Sequence, residues 1–340
     1  MSALTSTAAG LSPIWEVQLA EHPVALCVAR DGTRVVAGGL GGELLSLDAA
    51  SGQLRARWNA HPSGLCCAAF GAGVLASGGQ DGCLRLWNAD GVSAAETRID
   101  GRWLEQLGWS VDGAHLAAAA GRTVVLCNAS GVERHRYIHA SPVRALAFSA
   151  NGGFLAVGGG GGVSLLRTRD GQLDRRYDNR SPLLSLAFSP DGRILASGTG
   201  DNEVRFWRLG SGESSQMSGF KGPPFRPMAL AWNGHTLASG GDQSIALWKF
   251  SGKGPEGRQP EMLHGHWGLV THLQYSADGA WLASSGRDGT LMLTEVARPA
   301  APRLGAELED EACALAWHPR KPLVYVADAS GRVAAYAAHR

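Results

Sequence analysis

Short runs of apolar and polar residues alternate along the chain, and one phrase of this kind recurs. It has an apolar pair, small residues with one or two glycines, a turn and an alternating strand, as in LASGGQDGCLRLW from Leu75 and LASGTGDNEVRFW from Leu195. Eight such phrases follow one another at a spacing of about 40 residues, the first from Val35 and the last from Leu323. This period predicts a repeat protein in which each unit is one supersecondary structure.

A second phrase precedes the first one in several units. It is an apolar strand that ends in an aromatic residue, then Asp-Gly or Asn-Gly, then another apolar strand, as in PVRALAFSANGGFL from Pro142. Asp-Gly and Asn-Gly are strong hairpin signals because these residues tolerate a positive φ. Each unit therefore holds three short strands, and a more polar fourth strand such as residues 53–59 follows.

Four short antiparallel strands repeated about eight times predict an all-β fold, the β-propeller. No window of the sequence keeps the spacing of an amphipathic helix over three turns. A single blade cannot bury both faces of its sheet, so neighbouring blades must stack into a closed ring. Small residues such as Ala, Ser and Gly suit the strands that lie near a narrow central axis.

The number of blades follows from the first strands and from the start of the chain. Eight first strands end near an apolar or aromatic residue, namely Val28, Phe70, Trp109, Phe148, Phe188, Trp232, Tyr275 and Trp317. An extra strand, residues 14–20, precedes the first unit and is similar to the fourth strand at residues 53–59. We expect it to complete the last blade and leave no open edge there, which predicts eight four-stranded blades. Seven blades is the alternative if the third or the eighth unit forms none.

These units resemble the repeats of WD-repeat β-propellers over roughly residues 14–337. The second unit has His61, Ser77, Asp81 and Trp87 at the places where that family forms a buried hydrogen-bonded tetrad. The resemblance implies the same structural tetrad here. Other units keep part of the set: His266, Ser284 and Asp288 with Thr294 for Trp, then Ser197, Asp201 and Trp207 with Asn179 or Arg180 for His, and Ser239, Asp242 and Trp248 without His. Units one, three, four and eight depart further, and Gly41, Gly161 and Ser330 lie near the Asp position.

Composition and charge narrow the class of protein. The 340 residues are 44% hydrophobic and carry a net charge of +1, so no global positive field attracts nucleic acid. There is no apolar run long enough to span a membrane, and the first residues have neither a basic region nor a long apolar stretch. We therefore expect no nucleic-acid partner, no membrane partner and no secretion signal. Arginine outnumbers lysine 27 to 4, which indicates a GC-rich, bacterial genome.

The residues that could serve as metal ligands, redox groups, a phosphate loop or catalytic acids each have a structural explanation. Four histidines fall just before a first strand, where a tetrad His or a turn is expected: His22, His61, His139 and His266. The six cysteines lie mostly in apolar runs without zinc spacing, which favours buried reduced thiols. The glycine run at residues 158–162 is followed by another strand, whereas a phosphate loop needs a helix there. Asp81, Asp201, Asp242 and Asp288 are better explained as turn residues than as a ring of catalytic carboxylates.

The remaining candidates lie on the surface. In WD-repeat proteins partners commonly dock on the face formed by loops between fourth and first strands and between second and third strands. The resemblance implies that this face carries the partner-binding residues here, namely Arg102, Trp103, Glu105, Arg144, Arg180, Phe225, Arg226, Trp267 and Arg287. Aromatic and arginine side chains dominate protein interfaces. The alternative for each is packing within its own loop, and an acidic or phosphorylated peptide is one possible ligand of the arginines.

Together these observations predict a disordered tail at residues 1–11 and one WD-repeat-like propeller over residues 12–340. Three segments rich in Gly, Pro and Ser, residues 211–227, 251–262 and 298–309, are expected to be loops. The function expected is a cytoplasmic, non-enzymatic scaffold or adaptor for proteins or peptides, without cofactor, catalytic residues or metal. The alternative is a propeller that handles a small ligand or metal at the channel mouth near Glu105, Arg144 and His272.

Overall fold

The computed structural model describes residues 8–71, 73–209, 216–221, 227–251, 255 and 258–339, with the backbone alone at 8–9 and 216–221. Within these ranges the regular elements are β-strands. No helix among the described residues is both long and apolar enough to cross a membrane.

Thirty-three strands are numbered β1 to β33 in chain order, and the first two precede blade 1. The strands up to blade 4 are β1 Ala8–Gly10 and β2 Trp15–Gln18; in blade 1 β3 Pro23–Val28, β4 Arg34–Gly39, β5 Glu43–Asp48 and β6 Leu54–Asn59; in blade 2 β7 Leu65–Phe70, β8 Leu75–Gly79, β9 Cys83–Trp87 and β10 Ser93–Arg98; in blade 3 β11 Leu104–Trp109, β12 His115–Ala120, β13 Thr123–Asn128 and β14 Glu133–Ile138; and in blade 4 β15 Val143–Phe148, β16 Phe154–Gly159, β17 Gly162–Arg167 and β18 Leu173–Asp178.

The strands of the second half follow the same order. They are in blade 5 β19 Leu183–Phe188, β20 Ile194–Thr199, β21 Glu203–Arg208 and β22 Gln216–Lys221; in blade 6 β23 Ala229–Asn233, β24 Thr236–Gly241, β25 Ser244–Lys249 and β26 Glu261–His264; in blade 7 β27 Val270–Tyr275, β28 Trp281–Gly286, β29 Thr290–Glu295 and β30 Arg303–Glu307; and in blade 8 β31 Ala312–Trp317, β32 Leu323–Asp328 and β33 Arg332–Ala337.

Each blade is an antiparallel sheet whose strands pair in sequence order, and the first strands contact one another in a closed cycle around the axis. Among the described residues, the core divides into eight apolar clusters, one between each pair of adjacent blades. The predicted all-β propeller of eight four-stranded blades is therefore confirmed, and the seven-blade alternative is wrong.

The middle strands are apolar on both faces because both faces are buried. In β4, Val35 and Ala37 pack in the cluster shared with blade 8, whereas Val36 packs in the cluster shared with blade 2. Successive side chains of a strand point to opposite faces, so a strand between two neighbours has no position for solvent. This explains why the recurring phrase reads as a continuous apolar run.

Glycine in that phrase is required by the approach of the next blade. A Cβ on Gly78 would lie 2.2 Å from Leu104 Cδ2, and a Cβ on Gly38 would lie 2.3 Å from Leu65 Cδ2. Leu65 and Leu104 each begin the first strand of the following blade. The small residues therefore admit a leucine of the neighbouring blade, a more local reason than a narrow axis.

Tryptophans at the ends of first strands join neighbouring blades by hydrogen bonds. The indole Nε1 of Trp109 donates to the Ala69 carbonyl at 3.1 Å, and that of Trp317 donates to the Gln274 carbonyl at 2.9 Å. Each acceptor lies on the first strand of the preceding blade. A buried indole needs such a partner, so these bonds fix the spacing between blades.

The ring closes through the N-terminal segment, as expected. Strand β2 pairs antiparallel with β33 and supplies the outer strand of blade 8. The Trp15 indole also donates to the Ala49 carbonyl at 3.1 Å, and the Tyr325 hydroxyl donates to the same carbonyl at 3.0 Å. Blades 8 and 1 are thus held together by two hydrogen bonds that share the Ala49 carbonyl as acceptor.

The start of the chain differs from the expected tail at residues 1–11. Strand β1 pairs in parallel with β30 on the outer edge of blade 7, and the Leu11 amide donates to the Gly305 carbonyl at 2.7 Å. Residues 1–7 lie outside the described residues. The three residues of β1 have no alternating pattern that would predict a strand. The strand forms because its backbone pairs with that of β30.

Two of the predicted loops, and the end of the third, contain fourth strands. Strand β22 lies within residues 211–227, β30 lies within residues 298–309, and β26 begins at Glu261 near the end of residues 251–262. An outer strand pairs on one side and has one edge in water, so it needs little apolar pattern. Gly and Pro in these segments therefore gave a misleading loop signal.

Deletion of residues 1–21 should lower the melting temperature strongly, because it removes β1, β2 and the buried indole of Trp15. Loss of a buried Trp alone costs about 3–5 kcal/mol. Deletion of residues 1–7 is the matched control and should leave the melting temperature near that of the full chain. Calorimetry of the three proteins makes the comparison; equal melting temperatures for the two truncations would contradict closure by β2.

Candidate functional site

The two ends of the ring differ in their loops. The upper face is defined here by the loops from fourth to first strands and by the turns from second to third strands; the lower face carries the other loops. Among the described residues, the predicted partner-binding residues on the upper face are Arg102, Trp103, Arg180, Trp267 and Arg287, whereas Glu105 and Arg144 occupy the second positions of β11 and β15. Phe225 and Arg226 lie outside the described residues.

Blade 2 brings its four predicted tetrad residues together. His61 Nε2 lies 2.8 Å from Ser77 Oγ, and the Trp87 indole donates to the same oxygen at 2.8 Å. On the other side of the ring, His61 Nδ1 lies 3.1 Å from Asp81 Oδ1. His61 precedes the first strand and Asp81 lies in the turn after the second, so the set ties two upper-face loops to the sheet.

A fifth residue, Arg85, lies against this histidine and indicates its tautomer. Its Nη1 lies 2.6 Å from His61 Nδ1 and 2.6 Å from an Asp81 carboxylate oxygen. A guanidinium only donates, so Nδ1 accepts and Nε2–H donates to Ser77. Burial, and to a lesser degree Arg85, hold the pKa of His61 below its usual 6.5 despite the opposing charge of Asp81.

Blade 5 uses the same arginine with a different partner. Arg205 donates to the Asn179 side-chain oxygen and lies 3.0 Å from the Asp201 carboxylate. Asn179 thus accepts from Arg205 as His61 accepts from Arg85. We did not predict either arginine, although the spacing Asp-x-x-x-Arg in units two and five is a visible signal.

Blade 7 holds its histidine without arginine. His266 Nδ1 lies 2.7 Å from the Asp288 carboxylate, and Nε2 lies 2.8 Å from Ser284 Oγ. Burial opposes the charge of Asp288, but the hydrogen bond from His266 and other bonds outweigh it and lower the pKa of this carboxyl. The same carboxylate accepts the backbone N–H of Trp267 at 3.1 Å.

Trp267 is the most exposed large apolar side chain among the described residues. It is 66% exposed, while the Gln243 side chain donates to its carbonyl at 3.0 Å. The backbone is therefore held at both its N–H and its carbonyl, whereas the indole projects into solvent. Such a side chain presents a large apolar surface at little entropic cost to a partner.

Trp103 is a second exposed indole on this face, at 54% exposure, in the loop before blade 3. The neighbouring Arg102 packs over Gly121, where a Cβ would lie 2.7 Å from its Cδ. Arg180 is exposed in the loop before blade 5. Arg287 is also exposed, and its guanidinium lies 3.6 Å from the Glu311 carboxylate.

Sequence comparison now identifies the repeats. The family model "WD domain, G-beta repeat" matches residues 52–88, 132–165, 171–208 and 257–294. These four segments are similar to WD repeats, and together they span less than half of the chain. Each of these matches covers a fourth strand and the first three strands of the next blade. A WD repeat therefore overlaps two blades of the ring.

Curated relatives match over short segments. Target of rapamycin complex subunit wat1 of Schizosaccharomyces pombe is 27% identical over 40% of this chain and 42% of its own length. Target of rapamycin complex subunit LST8 of Saccharomyces cerevisiae is 27% identical over 30% of this chain and 33% of its own. Protein ROOT INITIATION DEFECTIVE 3 of Arabidopsis thaliana is 32% identical over 22% and 18%. The match spans less than half of each relative. All three organisms are eukaryotes, so a bacterial origin stays a prediction.

Two solved structures share the fold across almost the whole chain. The computationally designed Ika8 protein has a TM-score of 0.81 and 21% identity, with 98% of this chain and 100% of that one covered. The C-terminal WD40 domain of Sif2 has a TM-score of 0.83 and 16% identity at the same coverage. This likeness concerns the fold alone.

Seven blades bulge at the second residue of the first strand, where the register with the second strand shifts. Three such residues, Arg144, Leu184 and Thr271, line a cavity of about 850 Å³ on the channel side. His272 lines it too, next to Thr271 Oγ1 at 2.8 Å, and burial lowers the pKa of this histidine. Glu105 is not among the lining residues.

The other candidates for chemistry have structural partners. Burial raises the pKa of the Cys66 and Cys313 thiols to about 11, so they are protonated at neutral pH. His264 Nδ1 lies 3.1 Å from Ser244 Oγ. In the described part of the chain, no three His, Cys, Asp or Glu side chains group as metal ligands would. The six cysteines are unpaired.

His61→Ala should lower the free energy of unfolding by about 2 kcal/mol, because it removes one buried hydrogen bond from Ser77 and one from Arg85. His61→Asn should cost less than half as much, since an Asn side-chain oxygen can accept from Arg85 as Asn179 accepts from Arg205. Urea unfolding at neutral pH gives both values. Equal losses for the two variants would show that the arginine bond contributes nothing.

Acid should destabilise the ring before its carboxylates titrate. Since the pKa of folded His61 lies below 6.5, the unfolded chain binds this proton first, and stability falls as the pH drops through about 6.5. The Asp81 carboxyl, with a lowered pKa, is ionised in both states in this range. Melting temperatures between about pH 7 and 5 should fall less in His61→Asn than in the native chain. A parallel fall would assign the effect to other histidines.

Proposed function

We propose that this WD-repeat propeller is a non-enzymatic scaffold that binds partner proteins on its upper face. The observation that carries the proposal is the pair Trp103 and Trp267, two exposed indoles on rim loops. The binding step involves no chemistry, because the partner associates with a face whose loops are already positioned.

The positioning of these loops supports this function. The WD tetrads of blades 2 and 7 connect the loop before the first strand to the turn after the second strand. Asp288 adds a bond to the backbone of Trp267 itself. A preorganised aromatic side chain loses little conformational entropy on binding, and this favours its use as an interface anchor.

The names of two relatives support the same class of function. Both wat1 and LST8 are named as subunits of a target of rapamycin complex, and subunits of complexes contact other proteins. We propose a protein complex, without further identification, as the assembly in which this chain takes part. The six unpaired thiols suit the reducing cytoplasm, which we propose as its location.

A second candidate function is the binding of a small ligand in the channel. The cavity of about 850 Å³ is large enough for an organic molecule, and Arg144 and His272 offer a cation and a neutral imidazole on its wall. Native mass spectrometry of protein purified from its own host would reveal a retained molecule, and elemental analysis would reveal a metal. A stoichiometric ligand lost in Arg144→Ala would favour this candidate.

Trp103→Ala combined with Trp267→Ala should abolish the recovery of crosslinked partners from the host of this protein. The reason is that interface anchors of this type cost about 2 kcal/mol or more each when truncated. Affinity purification with crosslinking and mass spectrometry measures recovery and locates the crosslinks. Crosslinks should concentrate on the upper face.

The matched control is Val92→Ala combined with Val111→Ala, two exposed apolar residues on the lower face. This variant should recover the same partners as the native chain. Loss of partners in the control alone would place the interface on the lower face and overturn the proposal.

A further inference from the structure

Three arginines on the upper face and one beside it on the channel side, in three successive blades, have no carboxylate within ion-pair distance among the described residues. They form an arc, called here the arginine arc: Arg102 before blade 3, Arg122 in its second turn, Arg144 on the first strand of blade 4, and Arg180 before blade 5. All four are exposed. Arg122 donates to the His139 carbonyl at 2.9 Å, which leaves its remaining N–H groups free of protein acceptors in the described structure.

Other arginines near this face are paired with carboxylates. Arg85, Arg205 and Arg287 each lie within 4.0 Å of an Asp or Glu carboxylate. The chain has 30 acidic residues for 31 Lys and Arg, so carboxylates are not scarce. The arc is thus a local excess of cationic groups and not a consequence of overall composition.

Among the described residues, the acidic side chains near the arc form no ion pair with its arginines. Asp100 accepts bonds from the Gly101 amide and from Thr123 Oγ1, and Asp178 pairs with Arg176 at 3.0 Å. Glu105 is exposed, and its charge acts on the Cys66 thiol of blade 2, whose pKa is raised first by burial and then by Glu105. Positive charge also extends over blade 4, where burial, followed by Arg176 and Arg122, lowers the pKa of His139.

The opposite side of the same face is acidic. Glu21, Glu309, Asp310 and Glu311 lie in the loops before blades 1 and 8 and form an acidic patch. A flat polyanion such as a lipid surface would be repelled by this patch while it contacts the arc. A narrow acidic chain can follow blades 3 to 5 without reaching blades 8 and 1.

We infer that the arginine arc binds an acidic segment of the partner protein, with carboxylates on the guanidinium groups and an apolar side chain against Trp103. Guanidinium groups pair with carboxylates in a bidentate geometry, and this makes them suited to such recognition. The inference rests on the proposed function and names the chemistry of the partner. The acidic patch determines on which side of the channel the acidic segment binds, because like charges repel the segment from blades 8 and 1.

A fluorescein-labelled peptide of alternating Glu and Ser tests this inference by fluorescence anisotropy with the full chain. The peptide should bind, and a matched peptide with Gln for Glu should not. Arg144→Ala combined with Arg180→Ala should weaken binding about two- to thirtyfold, because two exposed ion pairs are lost. Added salt should weaken it further.

The matched control is Arg193→Ala combined with Arg320→Ala, which removes the same charge from exposed positions on the lower face. It should bind the acidic peptide as the native chain does. Equal weakening by both pairs would overturn the inference, since attraction would then come from overall charge. An arc variant that binds like the native chain would also overturn it.

Phosphatidylserine vesicles provide the remaining comparison. In one outcome the native chain floats with the vesicles, the arc variant does not, and the native chain does not bind the acidic peptide. The ligand of the arc would then be a membrane, and the inference would be overturned. Failure of the proposed function is distinguishable, because that function is tested with the tryptophan pair. If partners are lost with the tryptophan variant and kept with the arc variant, the scaffold stands and the arc has no role in it.

Discussion

Each blade presents two apolar faces, and a sheet of four short strands cannot leave either face in water. The structure meets this constraint by closing a ring, so that all eight apolar clusters lie between neighbours. The glycines of the recurring phrase, the leucines that begin the first strands and the indole bonds between first strands all follow from this contact. A single blade would have no apolar core, and its glycines and leucines would have no packing partner to explain them.

The same constraint accounts for the contrast between the interior and the upper face. Packing between blades holds the sheets, but it does not reach the loops above them. Those loops are held by polar sets, His61 with Asp81 and Arg85, and His266 with Asp288. Polar atoms near the rim are thereby satisfied within the protein, while indoles and guanidinium groups outside the sets stay available to a partner. The division separates side chains that maintain the face from side chains that could act on it.

The sequence was sufficient to predict the fold because a repeat reports the same structure eight times. Periodicity and hairpin signals located the inner strands, and the similarity of residues 14–20 to a fourth strand predicted how the ring closes. It was insufficient where pairing depends on backbone alone, as for β1 and for the outer strand β22. It was also insufficient where a role depends on partners. Arg85 and Arg102 are the same residue type in the sequence, yet Arg85 is paired with Asp81, whereas Arg102 has no acceptor among the described residues.

The pairing of β2 with β33, which closes the ring, also determines the side of the protein on which its terminal strands lie. Trp15 lies opposite Ala335 on neighbouring strands, at the end of blade 8 that belongs to the lower face. Ala8 lies opposite Arg303, at the lower end of β30. Residue 8 and residue 337 therefore both lie at the lower side of the ring. A fusion domain, a label or a surface tether at either terminus would point the upper face away from its support and leave that face open to approach.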